Sequence, residues 1–196
     1  LAQVPLSSKE DVEKAIAAAK AAFPAWAAMP VDKRVAPLFN LRHLIKENHE
    51  EISRCLVAEM GKSLPDARAE MDRTLENVEI ACGIPVMQQG DKLIGAAPGI
   101  DGEVIQLPIG VFTMIAPFNF PGMVPFWFVP YAIATGNTFV LKPSKQVPMT
   151  MQLLTQYLHD NGIEILDMDT YTTKETFSAA VLYVKNLGGD KDESIA

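Results

Sequence analysis

The sequence predicts an α/β protein, with a portion of parallel sheet, a layer of helices and an extended β-arm. Three observations carry this. Residues 104 to 141 contain no charged side chain, which suits strands buried on both faces with a buried helix between them. Three segments before that run repeat apolar residues at helical spacing. Between them, "GDKLIGAAPGIDGEVIQLPIG" reads as two short strands around a Gly/Pro/Asp turn.

In chain order, "SSKEDVEKAIAAAKAAFPAW" places Ser7 three residues before Glu10, a capping-box spacing, and then Val12, Ile16 and Ala19 on one face, with an end expected near Pro24. A second helix is expected over 31–61, with Leu38, Leu41, Leu44, Ile45, Ile52, Leu56 and Val57 on its apolar side, and a third from Leu64 to about Cys82. Residues 1–88 thus form the helical part and 89–108 the arm. In 109–162, "GVFTMIA" reads as a buried strand, "PFNFP" as a turn and "MVPFWFVPYAIATG" as one buried helix stopped by Gly136. "NTFVLKP" is then a second buried strand, parallel to the first, and a helix follows from Pro148 with Gly162 as its cap. Residues 163–196 change character: a short strand, an acidic Thr-rich loop, a helix from about Lys174 to Asn186 and a fraying charged tail.

Composition excludes several functions. A formal charge of -7 and the lack of any Lys/Arg block argue against a nucleic-acid partner. The charge-free run is long enough to span a membrane, but Pro117, Pro121, Pro125 and Pro130 break it as a helix. Cys55 and Cys82 are too few for a disulfide framework and suit a reducing compartment, the cytoplasm or a mitochondrial matrix. No targeting pattern opens the chain, whose start reads as mid-protein. His43 and His49, six apart on one helix, point in different directions, so no metal site is expected.

Asn119 lies between two phenylalanines in the turn "IAPFNFP", and "GNTFVLKPS" follows about twenty residues on. Upstream stand "VPLSSKEDVEKAI", "EMGKSLPDARAEMDRTLENVEIACGIP" and "GEVIQLPIGV". In this order the segments resemble the aldehyde dehydrogenase superfamily, and within it the CoA-acylating methylmalonate-semialdehyde dehydrogenases. The resemblance covers Leu1 to about Gly162. It implies a Rossmann-type sheet portion, NAD as cofactor, CoA as co-substrate, a small-molecule aldehyde substrate and a homo-oligomer joined through the arm.

The resemblance also implies roles. Asn119 would donate its side-chain amide to the oxyanion formed when a catalytic thiolate attacks the aldehyde, from a position in a dry apolar loop. Losing such a donor costs about 3 to 4 kcal/mol at the transition state. On the residues alone, the stronger reading is that a loop asparagine satisfies local backbone groups. Ile115, Ala116, Pro117 and Phe118 would pass beside NAD, and Lys142 would reach the adenosine ribose, at the carboxyl ends of two strands where ligands of open α/β sheets sit. G-x-G-x-x-G is absent, and the superfamily does not rely on it. Lys145, beside Gln146, stands where many relatives carry a glutamate that accepts from the ribose hydroxyls. A lysine cannot accept and would attract a 2′-phosphate, so NADP is expected to be tolerated.

The family's cysteine nucleophile lies well beyond the asparagine, and no residue after Asn119 is a cysteine here. "NLGGDK" echoes a later family motif at the wrong spacing. Three accounts follow: a truncated piece of an aldehyde dehydrogenase, inactive alone; a non-catalytic nucleotide-binding protein; or an oligomer-assembly subunit. The first is favoured.

Overall fold

The computed structural model describes residues 7–160, 165–168 and 180–182, the last two stretches as backbone only. Helix α1 (Lys9–Ala27) begins one residue later than expected: Ser8 accepts from the Asp11 N–H at 3.2 Å and its own N–H donates to Asp11 at 2.8 Å. Pro24 lies inside α1, and its carbonyl accepts from Ala28. The single helix expected over 31–61 is two, α2 (Val31–Glu47) and α3 (His49–Met60). Asn48 makes the break, its side-chain amide donating to the Leu44 carbonyl at 2.9 Å and competing with the helix ladder. Gly61, left-handed at φ 81°, ends α3. Helix α4 (Leu64–Cys82) starts on Ser63, and a short turn α5 (Ile84–Met87) leads to the arm.

The arm is an antiparallel hairpin, β1 (Lys92–Ala97) with β2 (Ile100–Glu103), exposed along almost its whole length. Next, β3 (Val111–Ile115) and β4 (Thr138–Lys142) pair in parallel from Val111 opposite Thr138 to Ile115 opposite Lys142. The helix between them is again two, α6 (Met123–Phe126) and α7 (Val129–Ala134). The chain breaks there because Pro130 has no N–H to continue the ladder from α6. Asn137 fixes the entry to the pair, its Oδ1 accepting from Ile109 at 2.8 Å and Gly110 at 3.0 Å. Helix α8 (Met149–Asp160) follows; Glu59 of α3 accepts from the Met149 and Thr150 N–H groups at 2.6 and 2.9 Å.

Two corrections concern the sheet. Its order is β3-β4-β6-β5, with β5 (Ile165–Met168) and β6 (Ala180–Leu182). β6 falls within the helix expected over 174–186 and pairs antiparallel with β4 instead. A short apolar run such as "AAVLYV" has no period that separates helix from strand, and the free flank of β4 selects the strand. β3 is not buried on both faces: it ends the strand order, with Phe112 37% and Ile115 77% exposed. β4 is buried as expected, Lys142 excepted. The Gly162 cap, the Thr-rich loop and the charged tail lie outside the described residues.

The core gathers Trp26, Leu38, Leu41, Ile45, Ile52, Leu56, Met71 and Phe126 from α1–α4 and α6 against Phe139 and Leu141 of β4. Trp26 donates its indole N–H to the Ile133 carbonyl at 3.0 Å, and Arg34, buried, donates to the Ala134 and Ala27 carbonyls. The helical layer thereby holds the α6–α7 segment onto β4. Among the described residues, no helix is long and apolar enough to cross a membrane.

Candidate functional site

Parallel pairing brings the expected cofactor residues to one place. Ile115 lies opposite Lys142 at the carboxyl ends of β3 and β4, and the Ala116 N–H donates to the Lys142 carbonyl at 2.9 Å, extending the ladder by one bond. Ala116 is buried, whereas Pro117 and Phe118 are exposed as the chain leaves the sheet. Lys142 is half-buried; burial, reinforced by the charge of Lys145, pushes its ammonium below the ordinary lysine value. Lys145 and Gln146 are exposed in the turn before α8, where the Gln146 N–H donates to the Ser144 hydroxyl at 3.3 Å. A donor cation at the strand ends beside an exposed turn fits hydroxyl-bearing ligands that dock there.

Asn119 lies three residues beyond Ala116 and is exposed rather than enclosed in a dry loop, as are its neighbours Phe118 and Phe120. Its side-chain amide makes no hydrogen bond among the described residues, so the local backbone does not consume it. Its backbone carbonyl accepts from Lys62 Nζ at 3.2 Å. Asn119 and Phe120 line a cavity of about 500 Å³ together with Lys62, Glu70, Arg73 and Met123. None of the residues 115–118 or 142–146 lines it, so the strand-end site and the asparagine cavity are two parts served by one turn.

Reading the residues in order missed the floor of this cavity. Glu70, 3% exposed, pairs with Lys62, and its other oxygen accepts from the Gly122 N–H at 2.9 Å and the Met123 N–H at 3.1 Å. Lys62 Nζ also sits 4.5 Å from the Phe120 ring centre, within cation–π range. A signal was present: Glu70 falls on the same stripe of α4 as Ala67, Met71, Thr74 and Val78, all buried.

Cys55 and Cys82 both lie in the helical layer, half-buried. Burial pushes both thiols above their ordinary value, and Cys55 accepts from the Thr150 hydroxyl at 3.8 Å within the helical layer. His43 Nε2 lies 3.1 Å from a Glu47 carboxylate oxygen and His49 Nε2 2.9 Å from one of Asp72, and among the described residues no group of three metal-ligating side chains forms.

A helical layer thus packs on a parallel strand pair, with a polar turn and a lysine at the strand ends. The chain belongs to the aldehyde dehydrogenase family, whose sequence profile matches residues 1–165. Malonate-semialdehyde dehydrogenase 1 of Bacillus thuringiensis (strain Al Hakam) is 46% identical over 162 residues, 83% of this chain and 33% of that protein. The crystal structure of methylmalonate-semialdehyde dehydrogenase from Oceanimonas doudoroffii superposes with a TM-score of 0.77 at 43% identity, over 81% of this chain and 32% of that one. The crystal structure of a Sinorhizobium meliloti 1021 protein named as a methylmalonate-semialdehyde dehydrogenase, complexed with NAD, gives 0.76 at 39% identity, with coverages of 81% and 32%. The chain therefore spans about a third of the length of the relatives it matches.

Proposed function

We propose that this chain is the cofactor-binding and oxyanion-donor portion of an aldehyde dehydrogenase that converts malonate or methylmalonate semialdehyde to an acyl-CoA. The observation that carries it is the parallel register that sets Ile115 and Ala116 against Lys142, with Asn119 presenting a free amide three residues on. NAD, when bound, accepts the hydride. Ile115 to Phe118 would supply the surface it lies on, and Lys142, which keeps its donors although burial pushes its ammonium below the ordinary value, would donate to the ribose hydroxyls. Asn119 stabilises the negative oxygen that develops when the aldehyde is attacked.

Neither cysteine is placed to attack, so the 196-residue chain alone does not turn over. Calorimetric titration with NAD is expected to give saturable binding that Lys142→Ala weakens about ten-fold, a hydrogen bond's worth. NADH formation from malonate semialdehyde plus CoA by the purified chain would overturn the inactivity, and absence of NAD binding would overturn the cofactor role.

A second reading, assembly, draws on the arm. Leu93, Ile94 and Ile100 are 63%, 75% and 58% exposed, and a hairpin that apolar suits contact with another copy. Light scattering is expected to show a species larger than a monomer; a strict monomer at high concentration would remove this reading. Both readings suit a reducing compartment, cytoplasm or matrix.

A further inference from the structure

We infer that Glu70, held by Lys62, is a positioning residue for the Asn119 turn. The inference rests on the reading of Asn119 as oxyanion donor. Such a donor works only if its backbone is set before the reaction, because a dipole that must reorient repays its gain in reorganisation. The turn "PFNFPG" is exposed at Asn119, and its two prolines remove two backbone donors from its own hydrogen bonding. Its fixation therefore comes from outside.

Glu70 supplies it on the C-terminal side of Asn119. One carboxylate oxygen takes the consecutive N–H groups of Gly122 and Met123, and the other takes Lys62. Lys62 in turn donates to the Asn119 carbonyl and lies over Phe120, so the asparagine is gripped at its own peptide and three residues later. A side chain at position 122 would crowd this grip: a Cβ there would stand 3.2 Å from Met71 Sδ and 3.4 Å from the Glu70 oxygen, which is why a glycine suits the approach. A carboxylate so deeply buried costs free energy unless paired, and the pairing spent here is with one turn and one lysine.

The test compares the full chain with Glu70→Ala, Glu70→Gln and Lys62→Met by amide hydrogen exchange and by the side-chain amide signals of ¹⁵N-labelled asparagine. In Glu70→Ala, Gly122 and Met123 are expected to gain about ten-fold or more in exchange rate beyond the rise at Leu41 and Ile45 of α2, which reports the loss of global stability, and the Asn119 side-chain signals shift or broaden. Glu70→Gln, which keeps an acceptor of the same length, is expected to restore most of the protection. Lys62→Met is expected to disturb the Asn119 signals with Glu70 still present. Unchanged exchange at Gly122 and Met123, or a uniform rise that includes α2, or no rescue by glutamine, would overturn the role. Should Glu70→Ala fail to fold, the glutamine and Lys62 variants still decide: Asn119 signals unmoved in Lys62→Met would overturn it. A chain that shows this exchange pattern but binds no NAD loses the proposed function and keeps the clamp; the reverse pattern does the opposite.

Discussion

Glu70 and Lys62 form an ion pair in which the acidic side chain is wholly buried and the basic one nearly so, 0% and 10% exposed. Removing one partner leaves a buried charge without compensation, so Lys62→Met and Glu70→Ala should each cost about 3 kcal/mol in urea denaturation. Replacing both, as Lys62→Met with Glu70→Ala, should cost clearly less than the sum of the singles. Additive losses would show that the two side chains do not act as a pair.

Both thiols are pushed above the ordinary value of 9.0, and burial is the main cause for each. Because the folded state holds its protons longer than the unfolded one, the stability these groups contribute is present below pH 9.0 and is lost as pH rises past it. A disulfide-exchange reagent at pH 8 should therefore label Cys55 and Cys82 slowly in the folded chain and rapidly in denaturant. Fast labelling of either in the folded chain would reopen it as a nucleophile.

Gly136 ends the α7 segment with φ 88°, and a Cβ there would stand 2.5 Å from an Arg34 guanidinium nitrogen. Gly136→Ala combines a left-handed alanine with displacement of a buried cation, an expected loss of about 2 to 3 kcal/mol. Thermal unfolding of the variant measures it, and an unchanged midpoint would contradict the geometry.

Trp26 is 1% exposed and Trp127 45%. Acrylamide should therefore quench one tryptophan and spare the other. Trp26→Phe should remove the spared component and cost about 1 to 3 kcal/mol, since the Ile133 carbonyl loses its donor.

Lys145 is exposed one turn from Lys142 and lowers its charge stability. Lys145→Glu should weaken NADP binding by about ten-fold relative to NAD, through repulsion of the 2′-phosphate. A wild-type chain that strongly prefers NAD, with no change in the variant, would remove this role for Lys145.

Local patterns carried much of this structure. The apolar periods of α2 and α4, the Gly/Pro turn of the arm and the charge-free "NTFVL" are set by neighbours in sequence, so they read directly as helix, hairpin and buried strand; α1 is a helix as expected, but it buries Ala15, Ala19, Ala22 and Trp26 and leaves Val12 and Ile16 exposed. The meeting of Ile115 and Lys142 at the strand ends was likewise legible, because two parallel strands joined by a helix bring their carboxyl ends to one side. The break at Asn48 was not, since a side-chain bond to a helix carbonyl leaves no periodic trace. Nor was the strand at Ala180–Leu182, where the deciding factor was the unpaired flank of β4, some forty residues away.

By itself, the sequence determined that this is an α/β chain of the aldehyde dehydrogenase family with a strand-turn-helix-strand unit around Asn119. Only the tertiary structure decided that β3 is an exposed edge and that Glu70 is a buried acceptor for a turn 52 residues away. The physical reason is that helix and strand tendencies are short-range properties of the chain. Burial of a charge is instead a property of the surfaces that meet over it, and those are chosen when α4 packs on the Asn119 turn.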